Sequence, residues 1–173
     1  MNKTKTLVLL ALLMAIHVIL SMFFIQVSDN LRIYFTYLVV MLVAIIFKPS
    51  VALTYAIVED LVAFFLYPTG PFFVGYTLSA FVSMSIYSFF LKDKVDTKRI
   101  IIAKTLTNLI SNVGLGSLWS AMLYSKGYIF YLTTSLVKNI ALLPFEIIIV
   151  ITFLHVITPS LYRSSLIKEK QVI

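Results

Sequence analysis

The run "LVLLALLMAIHVILSMFFI" at residues 7–25 decides the class of fold. It follows two lysines and so imitates a secretory signal peptide, whose apolar region is about 7–15 residues long. This run is longer, and no small-x-small cleavage site follows it in "QVSD" at 26–29. Because a helix needs about 20 apolar residues to cross a hydrocarbon core of about 30 Å, we predict a retained transmembrane helix.

The composition extends that prediction to the whole chain. Of the 173 residues, 61% are hydrophobic and 12% are charged, and the mean hydropathy is +1.02, whereas about 25% of residues are charged in an ordinary soluble domain. We predict an all-α integral membrane protein, a single six-helix domain over residues 1–173. The expected spans are 6–27, 33–47, 51–67, 72–91, 99–124 and 132–158, the second being short and tilted or interrupted at its start.

The positions of the basic residues indicate which ends of the helices face the cytoplasm. Ten of the fourteen fall on one side of these spans, and they are Lys3, Lys5, Lys48, Lys92, Lys94, Lys98, Arg99, Arg163, Lys168 and Lys170. Since cytoplasmic loops collect Lys and Arg, both termini are expected in the cytoplasm. The net charge of +7 is then explained without nucleic acid. Cysteine is absent, which excludes thiol chemistry and cysteine-bound metal.

A second stretch, "YPTGPFFVGYTLSA" at 67–80, resembles a nucleotide-binding loop. Residues 70–77 match G-x-x-x-x-G-K-[ST] except that Tyr76 replaces the phosphate-binding lysine, and no β-strand is expected before them. A plain Pro-Gly turn is the alternative, but eight irregular residues exceed what a turn needs. Irregular backbone at membrane depth is tolerated where it is buried in protein or lines a wet cavity. We predict the mouth of a cavity.

Ionisable residues inside the spans point to that cavity, because such groups are costly in a membrane. Asp60 and Lys138 each lie roughly 10 Å below the outer end of their helix by helix rise. Along the fifth span, polar and small residues continue on one face by i+4 and i+7 spacing. The ionisable candidates are Glu59, Asp60, Lys104, Lys138 and Glu146, and the face comprises Lys104, Asn108, Asn112, Gly116 and Trp119. Interhelical hydrogen bonding is the alternative role for the two asparagines.

Charge at the outer mouth indicates the class of ligand. Arg32, Lys138 and Lys126 outweigh Asp29 and Asp60 there. Guanidinium and ammonium donors, amides and many aromatic rings suit a flat heteroaromatic ligand that carries carboxylates. Snorkelling to lipid headgroups is the alternative role for Arg32.

The remaining polar features indicate neither metal binding nor catalysis. His17 and His155 have no metal-ligand spacing to another His or carboxylate and are expected to be packed or hydrogen-bonded. Ser117 lacks a G-x-S-x-G elbow and an evident base. We expect no catalytic residues, no metal and no cofactor.

Several segments resemble the substrate-binding S component of an energy-coupling factor (ECF) vitamin transporter, most closely the folate-specific subfamily. They cover most of the chain in the same order: Ala11-x-x-x-Ala15, "LRIYF" at 31–35, "EDLVAFFLYPTGPFFVGYTLSAF" at 59–81, "NLISNVGLGSLW" at 108–119 and "LVKNIALLPFE" at 136–146. One departure is Ser135, where the subfamily pattern has an arginine. Anion recognition would then depend more on Lys138 or Arg32.

The resemblance implies a six-helix, multi-pass protein of a prokaryotic cell membrane that captures a vitamin from outside. It would deliver the vitamin to a transmembrane T component and two cytoplasmic ATPases, with Ala11 and Ala15 as the docking face. The loop at 67–80 would close over the ligand. The predicted substrate-binding residues are Arg32, Asp60, Gly75, Tyr76, Thr77, Asn112, Trp119, Lys138 and Asn139.

Two classes of alternative remain open at this point. Within the transporter interpretation the vitamin is folate or, alternatively, riboflavin, pantothenate or another pterin. Outside it, a membrane enzyme or a structural membrane protein would use the polar stripe for proton chemistry or for packing.

Overall fold

Seven α-helices, one π-helical segment, one 3-10 turn and a β-hairpin follow one another in the described part of the chain. The computed structural model describes residues 2–28, 31–68, 71–124 and 126–171, without the side chains of 24–33 and 170. The elements are α1 Lys3–Met22, β1 Phe24–Ser28, β2 Leu31–Tyr34, α2 Tyr37–Ile46, α3 Pro49–Leu66, α4 Val74–Leu91, α5 Thr97–Thr107, the π-helix Asn108–Leu115, α6 Gly116–Leu123, α7 Tyr128–Arg163 and the 3-10 turn Glu169–Gln171.

The helices confirm the all-α membrane class. Helices α1, α3, α4 and α7 are each long and apolar enough to cross a membrane. Between α5 and α6 the backbone stays helical through the π-helix, with φ −62° at Asn108 and −58° at Gly116. These three segments therefore form one rod over 97–123, which corresponds to the fifth predicted span.

The β-hairpin is the main difference from the predicted spans. The first helix ends at Met22 and not at 27, and Phe24 and Ile25 pair with Tyr34 and Ile33 in an antiparallel ladder. Apolar runs rich in aromatic and β-branched residues suit strands as well as helices. The neighbouring segment Leu31–Tyr34 has the same preference and pairs with Phe24–Ser28. This pairing shortens the first two predicted helices.

Helix α2 occupies the centre of the bundle. It has ten residues, about 15 Å at the usual rise, and seven of them are buried, including Met41, Val43, Ala44 and Ile45 at 0% exposure. It packs against α1, α3 and α4. A helix that is apolar on all sides is stable where neighbours cover every face, which explains why this second span, expected to be short, carries no polar stripe.

The C-terminal tail folds back onto the predicted cytoplasmic end of the bundle. Gln171 is buried and donates through Nε2 to the backbone oxygens of Ile45 (2.9 Å) and Lys92 (2.6 Å). The ammonium of Lys92 donates to the oxygens of Ile45 (3.0 Å) and Ile46 (3.1 Å). Burial lowers the pKa of Lys92, with Asp93 opposing that shift and Lys168 adding to it. These donors satisfy carbonyls that the end of α2 would otherwise leave without partners.

Candidate ligand-binding site

Two adjoining cavities open between the helices, with volumes of about 480 and 550 Å³. Both volumes fall in the usual range for small-molecule sites, about 300–1,000 Å³. The larger lies beside the loop at 71–73, and the smaller extends along the π-helix and α7. They share a wall made of His17, Tyr34, Thr36, Glu59, Asp60 and Tyr76. The structure therefore contains a cavity, and Tyr67, Pro71, Phe72, Phe73 and Tyr76 of the predicted mouth line it, while residues 69 and 70 of that segment lie outside the described residues.

Asp60 lies on the shared wall and is oriented by Thr77. The Thr77 hydroxyl donates to Asp60 Oδ2 over 2.6 Å, which joins α3 to the first turn of α4. An ionised carboxylate accepts hydrogen bonds through both oxygens, so Oδ1 of Asp60 remains available as an acceptor. Thr77 itself does not line either cavity, and its contact with the site runs through Asp60.

A chain of polar side chains runs beside the smaller cavity, and its members Lys104, Asn112 and Glu146 line that cavity. Asn112 Nδ2 donates to Asn108 Oδ1 (3.0 Å), and Asn108 Nδ2 donates to Glu146 Oε2 (3.0 Å). The same Glu146 oxygen lies 3.1 Å from Lys104 Nζ, and that ammonium stands 3.6 Å from the centre of the Tyr37 ring. The chain links α5, the π-helix and α7. Both asparagines lie in the π-helix, a form that is frequent at functional sites.

A separate contact between a histidine and a carboxylate joins α1 to α3. His17 Nε2 lies 2.5 Å from Glu59 Oε1, and each side chain is 8% exposed. His17 Nδ1 is buried without a partner among the described residues. The prediction that His17 is packed or hydrogen-bonded is confirmed. Both residues belong to the shared wall of the two cavities, and Glu59 directly precedes Asp60 in the sequence.

The segment 71–76 packs against α6 at the mouth. The rings of Phe73 and Trp119 are 5.5 Å apart, and Trp119 Nε1 donates to Ser79 Oγ over 2.9 Å. A Cβ atom at Gly75 would lie 2.3 Å from Phe73 Cε1 and 2.6 Å from Trp119 Cδ2. Glycine is therefore required at 75 for the close approach of both rings. Neither Gly75 nor Trp119 lines a cavity, whereas Tyr76 lines both.

The other predicted binding residues are divided between cavity and periphery. Lys138 and Asn139 line the smaller cavity, and Asn139 Nδ2 donates to the backbone oxygen of Ser135 over 2.8 Å. Arg32 lies in β2 with its backbone paired to Gln26, and its side chain lies outside the described residues.

The predicted docking residues Ala11 and Ala15 lie on α1. Both are exposed, while Leu13 and His17 of the same helix are buried. The face that carries the two alanines is therefore directed away from the bundle.

Sequence reasoning recognised Glu59, Lys104 and Glu146 as buried ionisable groups but left them out of the binding set. In the structure all three line the smaller cavity. Their charge within apolar spans indicated that they are functional. Their partners lie on other helices, and spacing along the chain does not reveal such partners. Tyr34 and Tyr37 also line the cavity and carried no signal beyond their aromatic character.

Comparisons with known proteins agree on one family. The family described as "ECF-type riboflavin transporter, S component" matches residues 1–162. The folate transporter FolT of Leuconostoc mesenteroides subsp. mesenteroides is 33% identical over 152 residues, 83% of this chain and 81% of the relative. The folate transporter FolT of Clostridium novyi is 27% identical over 151 residues, 87% of this chain and 88% of that relative.

A solved structure shares the architecture. The crystal structure of FolT bound with folic acid superposes with a TM-score of 0.78 at 30% identity, covering 87% of this chain and 94% of that one. Taken with the match over residues 1–162, this likeness shows that the chain belongs to the S components of ECF-type vitamin transporters, a family of membrane transport proteins and not of enzymes.

Proposed function

We propose that this chain binds extracellular folate and delivers it for ATP-driven uptake. As an S component it lies in a prokaryotic cell membrane and works with a transmembrane T component and two cytoplasmic ATPases. ATP hydrolysis belongs to those ATPases, in agreement with Tyr76 in place of a phosphate-binding lysine. Two relatives named folate transporters and a related structure holding folic acid support folate over other vitamins.

The observation that carries the proposal is the pair of hydrogen-bond acceptors facing the smaller cavity. Asp60 offers Oδ1, since Thr77 occupies Oδ2, and Asn112 offers Oδ1, since its amide nitrogen donates to Asn108. Acceptors on two elements that line one cavity, α3 and the π-helix, suit a flat ring that carries N–H donors along its edge, as the pterin of folate does. Tyr34, Tyr37 and Tyr76 add aromatic surface around that space.

Charge supports the recognition of the glutamate tail. The ammonium of Lys104 is matched by Glu146 at 3.1 Å, so this pair adds no net charge to the cavity. The ammonium of Lys138, which has interactions of its own in the structure, is the second ammonium group that lines this cavity, together with Ser135 and Asn139. A carboxylate gains a charge-assisted hydrogen bond from such a donor, and the carboxylates of folate are therefore assigned to the Lys138 side.

Riboflavin is the second candidate, because the matching family description names it. Riboflavin has a flat heteroaromatic ring but no carboxylate. Lys138→Met should therefore weaken folate binding and leave riboflavin binding, where there is any, nearly unchanged. Equal weakening of both ligands would contradict the assignment of the tail to Lys138.

Direct titration of the purified chain in detergent tests the proposal. We expect saturable folate binding, weakened about tenfold to a hundredfold by Asn112→Ala or Asp60→Asn, since an unpaired buried polar group costs about 1–3 kcal/mol. Thr54→Ala is the matched control on α3, because Thr54 is exposed and its hydroxyl donates to the backbone oxygen of Ser50. Saturable riboflavin binding without folate binding would reject folate as the substrate.

Delivery is tested separately on α1. Ala11 and Ala15 are small and exposed, and small residues let two helices approach closely in a membrane. Replacing both with tryptophan should abolish folate uptake by cells that hold the complete transporter, while folate binding by the isolated chain stays within about twofold. Uptake at the wild-type rate would exclude this face from docking.

A further inference from the structure

We infer that the Lys104–Glu146 ion pair sets the hydrogen-bonding polarity that Asn112 presents to the ligand. This inference rests on the proposed function and deepens it, because it concerns which ligands the site accepts. Neither charged residue needs to contact the ligand: both are positioning residues, and they act through Asn108.

Glu146 fixes the first end of this chain of hydrogen bonds. An ionised carboxylate can only accept hydrogen bonds, and an ammonium can only donate them. Lys104 Nζ and Asn108 Nδ2 both approach the same oxygen, Glu146 Oε2, at 3.1 and 3.0 Å. The side chain of Lys104 is 2% exposed, so its partner has to remain an acceptor. Asn108 must therefore direct its NH₂ group toward Glu146.

The orientation of Asn108 fixes that of Asn112. Asn108 is 1% exposed, and with its nitrogen engaged its Oδ1 faces Asn112. Asn112 then directs Nδ2 toward that oxygen, at 3.0 Å. What remains toward the cavity is Asn112 Oδ1, for which the described residues provide no donor. An amide that could otherwise turn either way is thus held as an acceptor by a charge two side chains away.

The consequence is selectivity for ligands with an N–H donor at this position. Asp60, which lines the same cavity, is also an acceptor, so a ligand atom that accepts hydrogen bonds finds no donor at either point. Exchanging the two charged residues should reverse the direction of every hydrogen bond in the chain. In Lys104→Glu/Glu146→Lys, the ammonium at 146 would attract Asn108 Oδ1, Asn108 Nδ2 would donate to Asn112 Oδ1, and Asn112 would present its NH₂ group to the cavity.

The test compares ligands that differ in donors at the ring edge. Folic acid is titrated beside aminopterin, in which an amino group replaces the 4-oxo group and N3 loses its proton, and beside the 2-deamino-2-methyl analogue, which lacks the 2-amino donor. We expect the charge swap to change at least one of the two Kd ratios, each analogue against folic acid, by about tenfold or more. Both ratios staying within about twofold of wild type would overturn the inference.

A second background separates polarity from general damage to the site. With Asn112→Ala already present, the charge swap should leave both ratios unchanged, because the group that reports polarity is gone. An equal change in both backgrounds would also overturn the inference. If wild type binds none of the three ligands, the proposed function fails; if wild type binds folic acid and the ratios do not respond, only this inference fails.

Asn108→Leu provides a test that retains the ion pair. This change interrupts the chain between Glu146 and Asn112 and leaves Asn112 able to turn, so at least one of the two wild-type Kd ratios should move toward one by several-fold. A purely structural role for Asn108 would weaken all ligands by the same factor and leave the ratios at their wild-type values. Either result is decisive even if the charge-swapped protein does not fold.

Discussion

Two buried acid–base contacts in the described part of the chain differ in how many polar neighbours they have. Lys104 and Glu146 belong to a chain that includes Asn108, Asn112 and the ring of Tyr37. His17 and Glu59 form an isolated pair in which His17 Nδ1 has no partner among the described residues. Histidine can be neutral near physiological pH, whereas lysine without its partner leaves a buried cation. The Lys104–Glu146 contact thus orients neighbouring hydrogen-bonding groups, whereas the His17–Glu59 contact attaches α1 to α3.

The largest loss of stability is expected when the carboxylate of the Lys104–Glu146 pair is removed. Glu146→Ala leaves the Lys104 ammonium at 2% exposure without its counter-charge, and breaking a buried pair in this way costs about 3–5 kcal/mol. We expect that loss in the free energy of unfolding, measured in detergent. The double change Lys104→Met/Glu146→Leu should restore most of it, since apolar replacement of both partners is often neutral. Wild-type stability of Glu146→Ala would remove the distinction between the pairs.

A smaller effect is expected on the α1 side. His17→Ala removes one hydrogen bond to Glu59 and should cost about 1–3 kcal/mol of unfolding free energy, with faster hydrogen exchange along α1 than along α7. His155→Ala is the matched control, because His155 is exposed and contacts the backbone oxygen of Ile151. A cost for His17→Ala equal to that for Glu146→Ala would show that the isolated pair is as dependent on charge as the network.

The smallest effect is expected for a buried polar group that carries no charge. Gln171→Ala removes donors to Ile45 and Lys92, but the Lys92 ammonium still satisfies the Ile45 oxygen. We expect about 1 kcal/mol of lost stability and an unchanged Kd for folate, with exposed Glu169→Ala as the control. A loss of folate affinity in Gln171→Ala would instead connect the cytoplasmic end to the cavity through α2.

The candidate site divides into residues that spacing predicts and residues that it does not. Asp60 and Lys138 were singled out by their depth in apolar helices and Asn112 by its spacing along the fifth span, and each of the three lines the smaller cavity. The i+4 stripe correctly grouped Lys104 with Asn108 and Asn112, because periodicity along one helix is a local property. Trp119, at the end of that stripe, instead packs behind the wall on Phe73 and Ser79, since the π-helix changes the angle between residues on either side of it.

By itself the sequence determined the membrane environment, the helices and the direction of the charged loops, because hydropathy and the distribution of Lys and Arg are local quantities that the bilayer reads directly. The tertiary structure decided the partners. Glu146 meets Lys104 and Asn108 from another helix, and Phe24–Ser28 becomes a strand because Leu31–Tyr34 lies beside it. Such choices depend on which side chains the packing of helices brings into hydrogen-bond contact, and no period along the chain encodes that contact.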